Sequence, residues 1–123
     1  MAVGIRQRQK EGENPKPTRY FSSKQEKAVA KVVGGRQTPN SGATPFNPGD
    51  ITTKKFLFEC KTKISPSSSI SIKKEWLQKI NQEAIFVGKP YSGLIFSFGP
   101  DEPNYVILQE DVFYELLHLI ENL

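Results

Sequence analysis

Between residues 56 and 61 the chain reads Phe-Leu-Phe-Glu-Cys-Lys, and this run constrains the fold more than any other segment. Side chains alternate across a strand, so Phe56, Phe58 and Cys60 point one way and Leu57, Glu59 and Lys61 the other. Apolar residues on both faces predict a central strand covered on both sides. Glu59 and Lys61 then sit where desolvating a charge is expensive unless charges pair or bind something. On an edge strand they would form only a salt bridge, but their apolar flanks argue for burial.

The neighbouring elements follow from periodicity and turn chemistry. Ser22-Ser23-Lys24-Gln25-Glu26 leads into a helix over residues 22–33, with a serine cap, a glutamate three residues on and Gly34-Gly35 as its stop. Glu26 precedes Val29, Ala30 and Val33 by three, four and seven residues, which puts its carboxylate at the edge of the buried face. Residues 36–49, rich in Pro, Gly, Asn and Ser, read as an exposed loop with a short strand at its start, and loops of this length inside a compact domain are usually functional. Asp50 to Thr53 resumes strand character, and Lys54-Lys55 makes a turn. After a Ser/Pro-rich connector, Ile72, Trp76, Leu77, Ile80, Ala84 and Val87 form the buried stripe of an amphipathic helix ending at Gly88. Residues 91–98 and 105–108 read as strands joined by a turn at 99–103. Residues 110–122 read as a closing helix with Phe113, Leu116, Leu117 and Ile120 inward. The expected class is α/β, in the order helix, β-meander, helix, strand, strand, helix, with a central mixed sheet flanked by helices.

Charge is unevenly placed. Residues 1–20 carry five Lys/Arg against two acids, residues 21–90 twelve against five, and residues 91–123 none against six. A basic body with an acidic end suggests one face that meets a polyanion and another that does not. Residues 1–20 are polar and aperiodic and read as a flexible basic arm, whose Arg19 is a candidate phosphate contact; residues 21–123 make a single domain. No apolar run approaches the roughly 18 residues of a membrane span, so a cytoplasmic protein without membrane partners is expected. One cysteine excludes an internal disulfide, and no Cys/His cluster has zinc spacing, so any metal should be a hard, oxygen-bound cation.

The ordered chemistry-bearing residues are Glu26 on the first helix, Asp50 opening a strand, and Glu59-Cys60-Lys61 on the next strand. Phosphodiester hydrolysis needs charge neutralisation at the phosphoryl group, an activated water and a stabilised leaving oxyanion. Asp50 and Glu59, on segments joined by a tight turn, can converge on one hard cation, Mg²⁺ with Mn²⁺ as a substitute. The Cys60 backbone carbonyl is a further candidate ligand. Lys61, about 7 Å along the same strand face as Glu59, can position the attacking water.

This pattern resembles the PD-(D/E)xK nuclease core over roughly residues 22–98, and within it is most similar to archaeal-type and phage-encoded Holliday junction resolvases. The features that carry the resemblance are Glu26, Arg36, Ser41-Gly42-Ala43, Asp50 and Glu59-Cys60-Lys61. The resemblance implies a restriction-endonuclease-like fold and a Mg²⁺-dependent homodimer cutting four-way DNA junctions. It also implies Glu26 as a metal-associated carboxylate, Ser41 as an accessory catalytic residue and Arg36 as a phosphate contact. The chain departs from the pattern at Pro48-Gly49-Asp50, where a glycine separates the proline from the aspartate.

Plainer readings stand beside these. Glu26 with Ser23 makes a capping box, and Asp50 could simply follow a turn. Cys60 is a small buried hydrophobe, and Trp76 fits the core better than a base-stacking platform. Lys73, Lys74 and Lys79 fit a solvated helix face, although Lys63, Lys73 and Lys74 are also candidate DNA contacts. His118, near the end of the last helix, suits the helix dipole. The rival functions are another nuclease of the superfamily, acting on nicks, flaps or duplex DNA, and a non-catalytic DNA-binding module of the same fold.

Overall fold

The computed structural model describes residues 18–38 and 49–123, with the backbone alone at Thr18 and Arg19. The elements are α1 (Thr18–Val33), β1 (Arg36–Gln37), β2 (Ile51–Thr52), β3 (Phe56–Thr62), α2 (Lys74–Phe86), β4 (Tyr91–Ser97), β5 (Asn104–Ile107) and α3 (Glu110–Glu121). The five strands form one mixed sheet in the order β1-β2-β3-β4-β5. β3 is central, antiparallel to β2 and parallel to β4, and α2 is the crossover between β3 and β4. The chain is therefore α/β, as its pattern predicts.

Alternation along β3 sends its side chains to two separate cores. Phe58 and Cys60 pack with Val29 of α1, Ile51 and Ile95, while Leu57 packs with Ile80 and Ala84 of α2. One strand thus holds both helices, and Glu59 and Lys61 lie on the α2 side.

Helix α1 starts at Thr18, earlier than expected. Ser22 and Ser23 sit inside the helix, so there is no capping box at Ser23 and Glu26. Proline is tolerated in a first helical turn, and Pro17 does not prevent a start directly behind it. The stop is as expected, with Gly34 at φ +70°. Gln25, Glu26 and Val29 lie together on the buried face of α1, and Glu26 is only 2 % exposed.

Two parts of the expected core are not there. Val87 is exposed beyond the end of α2. In α3, Val112 is buried, but Phe113, Leu116, Leu117 and Ile120 are exposed. Periodicity identifies a face that favours burial without saying what covers it. α3 follows β5, the edge strand of the sheet, and buries only Val112. None of the described helices is long and apolar enough to cross a membrane.

Gly49 has φ +71°, and a Cβ there would lie 2.6 Å and 2.7 Å from Leu57 side-chain carbons. Leu57 is itself buried, so it cannot easily move aside. Gly49→Ala is therefore expected to cost about 2–4 kcal/mol, combining left-handed backbone strain with overpacking. Urea denaturation measures this, and a loss below about 0.5 kcal/mol, the range of a neutral surface change, would show that the turn accepts a side chain.

Candidate active site

The site is built where β2 ends against β3. Ile51 is the register partner of Phe58, yet the Asp50 N–H also donates to the Phe58 carbonyl at 2.8 Å. Two residues of one strand facing one of the other make a β-bulge, which bends the strand and re-aims the side chain. The result is that the Asp50 carboxylate turns along β3, where its Oδ2 accepts the Cys60 N–H at 2.7 Å. A strand residue directs its N–H and C=O to the same edge, so the Cys60 carbonyl faces the edge that Asp50 occupies.

Glu59 lies beside Asp50 on the α2 side of the strand. Burial, and then the charge of Asp50, push its carboxyl up to about 7, although Lys61 and Lys79 pull the other way. Lys61 reaches back along the strand, placing Nζ 3.6 Å from Glu59 Oε2 and 4.4 Å from the centre of the Trp76 ring. The ammonium is held between a carboxylate and an aromatic face. From below, the Gln25 amide donates to the Lys61 carbonyl at 2.8 Å and to Asn104 Oδ1 at 3.1 Å, tying the end of β3 to α1 and β5. A cleft of about 530 Å³ opens over Glu59 and Lys61, walled by Glu75, Trp76, Gln78, Lys79 and Gln82.

Glu26 stands apart from this cleft. It lies on the α1 side of β3, where Gln37 Nε2 donates to its Oε1 at 3.3 Å. Burial pushes the Cys60 thiol up, and the charges of Asp50, Glu26 and Glu59 add to that. No three His, Cys, Asp or Glu side chains among the described residues come together as a ready ligand set. Two carboxylates suit Mg²⁺ nonetheless, because that ion usually takes one or two and keeps several waters. Asp50 and Glu59 disfavour each other's charge, which a bound cation would offset. The donor set, two carboxylates with the Cys60 carbonyl at the same edge, fits a hard ion.

The other candidates are scattered. Arg36 is exposed on β1 and Lys63 just beyond β3. Lys73 is exposed, with Nζ 5.9 Å from the Trp76 ring. Lys74 lines a different, mainly apolar groove between α2 and the β4–β5 hairpin. His118 is exposed on α3. Ser41, with Gly42, Ala43 and Pro48, lies outside the described residues, as do most of the basic arm and the Arg19 side chain.

Sequence reasoning missed the roles of Trp76 and Lys79 in the cleft wall and of Glu83 behind it. Trp76 is half-buried at its rim and carries Lys61 on its ring, where helical spacing predicts a core residue. Lys79 pairs with Glu83 at 3.1 Å, one turn on. Glu83 also accepts the Gly49 N–H at 2.8 Å, joining α2 to the bulge. The four-residue spacing of Lys79 and Glu83 is legible but signals only a surface pair. Partial burial lowers the Lys79 ammonium, but the Glu83 hydrogen bond and the charges of Glu59, Glu83 and Asp50 outweigh it and hold it above its ordinary value. No family model, curated protein or solved structure matches the chain.

Proposed function

We propose that this chain is a Mg²⁺-dependent endodeoxyribonuclease with a restriction-endonuclease-like core, acting on branched DNA in the manner of the Holliday junction resolvases it resembles. The observation that carries the reading is the bulge that turns Asp50 toward Glu59 on the central strand, with Lys61 3.6 Å from Glu59 at the floor of an open cleft. Asp50, Glu59 and the Cys60 carbonyl would hold the ion. When bound, it supplies charge neutralisation at the phosphoryl oxygens and a more acidic water.

The remaining work falls to the chain's own side chains. Lys61, fixed between Glu59 and Trp76, orients a water for in-line attack and offsets the charge that develops on phosphorus. Glu59, pushed up to about 7, takes a proton at neutral pH more readily than an ordinary carboxylate. Substrate choice rests on phosphate contacts and DNA shape, through exposed cations such as Arg36, Lys63 and Lys73. Glu26 is a structural carboxylate on the α1 side of β3 in this reading, held by the Gln37 side-chain amide.

The test is cleavage in Mg²⁺ of a labelled four-way junction beside linear, nicked and flapped DNA of the same sequence. Preferential, paired cuts in the junction are expected. Equal cutting of linear duplex would leave a nuclease of another substrate class. The resolvase reading also brings a homodimer, and the exposed apolar face of α3 is its candidate interface. Deleting residues 110–123 is expected to convert a dimer to a monomer on sizing chromatography, whereas an unchanged dimer would move the interface elsewhere.

A further inference from the structure

Three hydrogen bonds fix the backbone at the bulge. The Asp50 N–H donates to the Phe58 carbonyl at 2.8 Å, the Asp50 carbonyl accepts the Thr38 N–H at 2.9 Å, and the Gly49 N–H donates to Glu83 Oε1 at 2.8 Å. The first two are main-chain bonds, which many sequences could make. The third is a side chain reaching from α2, and Gly49 receives it in a left-handed conformation, φ +71°, packed directly on Leu57. The other oxygen of the same carboxylate, Oε2, is 3.1 Å from Lys79 Nζ, and Lys79 also walls the cleft over Glu59.

We propose that Glu83 is the positioning residue for Asp50: from α2 it holds the Gly49 amide, and so sets the direction in which the bulge aims the Asp50 carboxylate. The inference rests on the reading of Asp50 as a site carboxylate. Lys79 orients the Glu83 carboxylate so that one oxygen stays on Gly49. A charge-assisted bond to a backbone N–H is shorter and stronger than a neutral one, which suits a contact that must hold a turn against the pull of a bound ion. Partners that orient metal ligands in this way commonly change metal affinity about 10–100-fold when removed. Helix α2 thereby contributes to both site carboxylates, through Glu83 at Asp50 and through Lys79 beside Glu59.

The Cys60 amide is a reporter that needs neither metal nor DNA, because its proton lies in the 2.7 Å bond to Asp50 Oδ2. In ¹H–¹⁵N correlation spectra of the full chain, Glu83→Ala is expected to move the Cys60 amide proton upfield, the direction that Asp50→Asn gives by weakening the same bond. Glu83→Gln, whose side-chain carbonyl still accepts the Gly49 N–H, is expected to keep it near the wild-type position. Mn²⁺ affinity, measured by titration calorimetry, is expected to fall about 10–100-fold in Glu83→Ala and to recover in Glu83→Gln. A Cys60 amide unmoved in Glu83→Ala while Gly49 shifts would overturn the proposal, leaving Glu83 as a stabilising contact only. If Glu83→Ala fails to fold, Glu83→Asp, which withdraws the carboxylate by one methylene, serves the same comparison. Failure of the wild type to take up Mn²⁺ would count against the metal reading of the site, and the Cys60 amide would still decide the role of Glu83.

Discussion

At pH 8, Glu59→Gln is expected to stabilise the protein by about 2–3 kcal/mol while removing the cleavage activity proposed for it. The stability change follows from burial and from Asp50, which push the Glu59 carboxyl from 4.5 up to about 7. Below pH 4.5 the group is protonated in both the folded and unfolded states, so it costs nothing. As pH rises from there to about 7, ionisation favours the unfolded chain, and the wild type loses stability progressively. Above that range the penalty is complete, and it corresponds to about 3 kcal/mol at 1.36 kcal/mol per pH unit, reduced somewhat because glutamine gives up the Lys61 contact. Glutamine keeps the shape without the charge, so its advantage should be absent near pH 4 and full near pH 8. Urea denaturation of both proteins across this range checks the sign. An advantage that grew toward acid pH would show that Glu59 is favourably ionised in the metal-free fold. Mg²⁺ should stabilise the wild type at pH 8 and leave the glutamine variant almost unmoved, since the ion selects the ionised form.

The second large effect belongs to Asp50, where two substitutions should separate structure from chemistry. Asp50 is 7 % exposed and its Oδ2 accepts the Cys60 N–H at 2.7 Å. Asp50→Ala strands that buried donor, and the expected loss is about 2–3 kcal/mol of stability. Asp50→Asn retains an acceptor oxygen in the same place and is expected to stay within about 1 kcal/mol of wild type. Its cleavage rate should nevertheless fall about 1,000-fold, the equivalent of about 4 kcal/mol in the barrier, because the neutral amide is a poor ligand for a hard cation. Parallel thermal unfolding and single-turnover cleavage separate the two effects. If asparagine were as destabilising as alanine, the carboxylate charge itself would be what holds the bulge.

The parts of the molecule legible in the sequence are those where one local rule dominates. The Phe56–Lys61 alternation specified a central strand with two cores, and Phe58 and Leu57 do pack against different helices. Glu59 and Lys61 are legible because charged residues within an apolar strand need a reason to be there, and Asp50 because a tight turn joins its segment to theirs. The features that the sequence does not reveal depend on contacts between distant segments. The bulge arises from Gly49 packing on Leu57 and from Glu83 on α2, and neither contact has a sequence signature. Trp76 obeys helical spacing and still ends at the rim, because α2 is only partly covered at its first turn. The α3 stripe is legible in the sequence as apolar, but its exposure is not, since spacing carries no information about a partner. Glu26 was legible as a carboxylate at the edge of a buried face. Its distance from Glu59, across the thickness of β3, depends on how α1 docks.

The most direct measurement is the Mg²⁺-dependent, single-turnover cleavage of a labelled four-way DNA junction by the wild type beside Asp50→Asn, with folding of both verified. A saturable, chelator-sensitive rate for the wild type and a loss of about 1,000-fold for the variant are expected. Equal rates from the two proteins, or no cutting of any DNA by either, would contradict a site built on the carboxylates of residues 50 and 59.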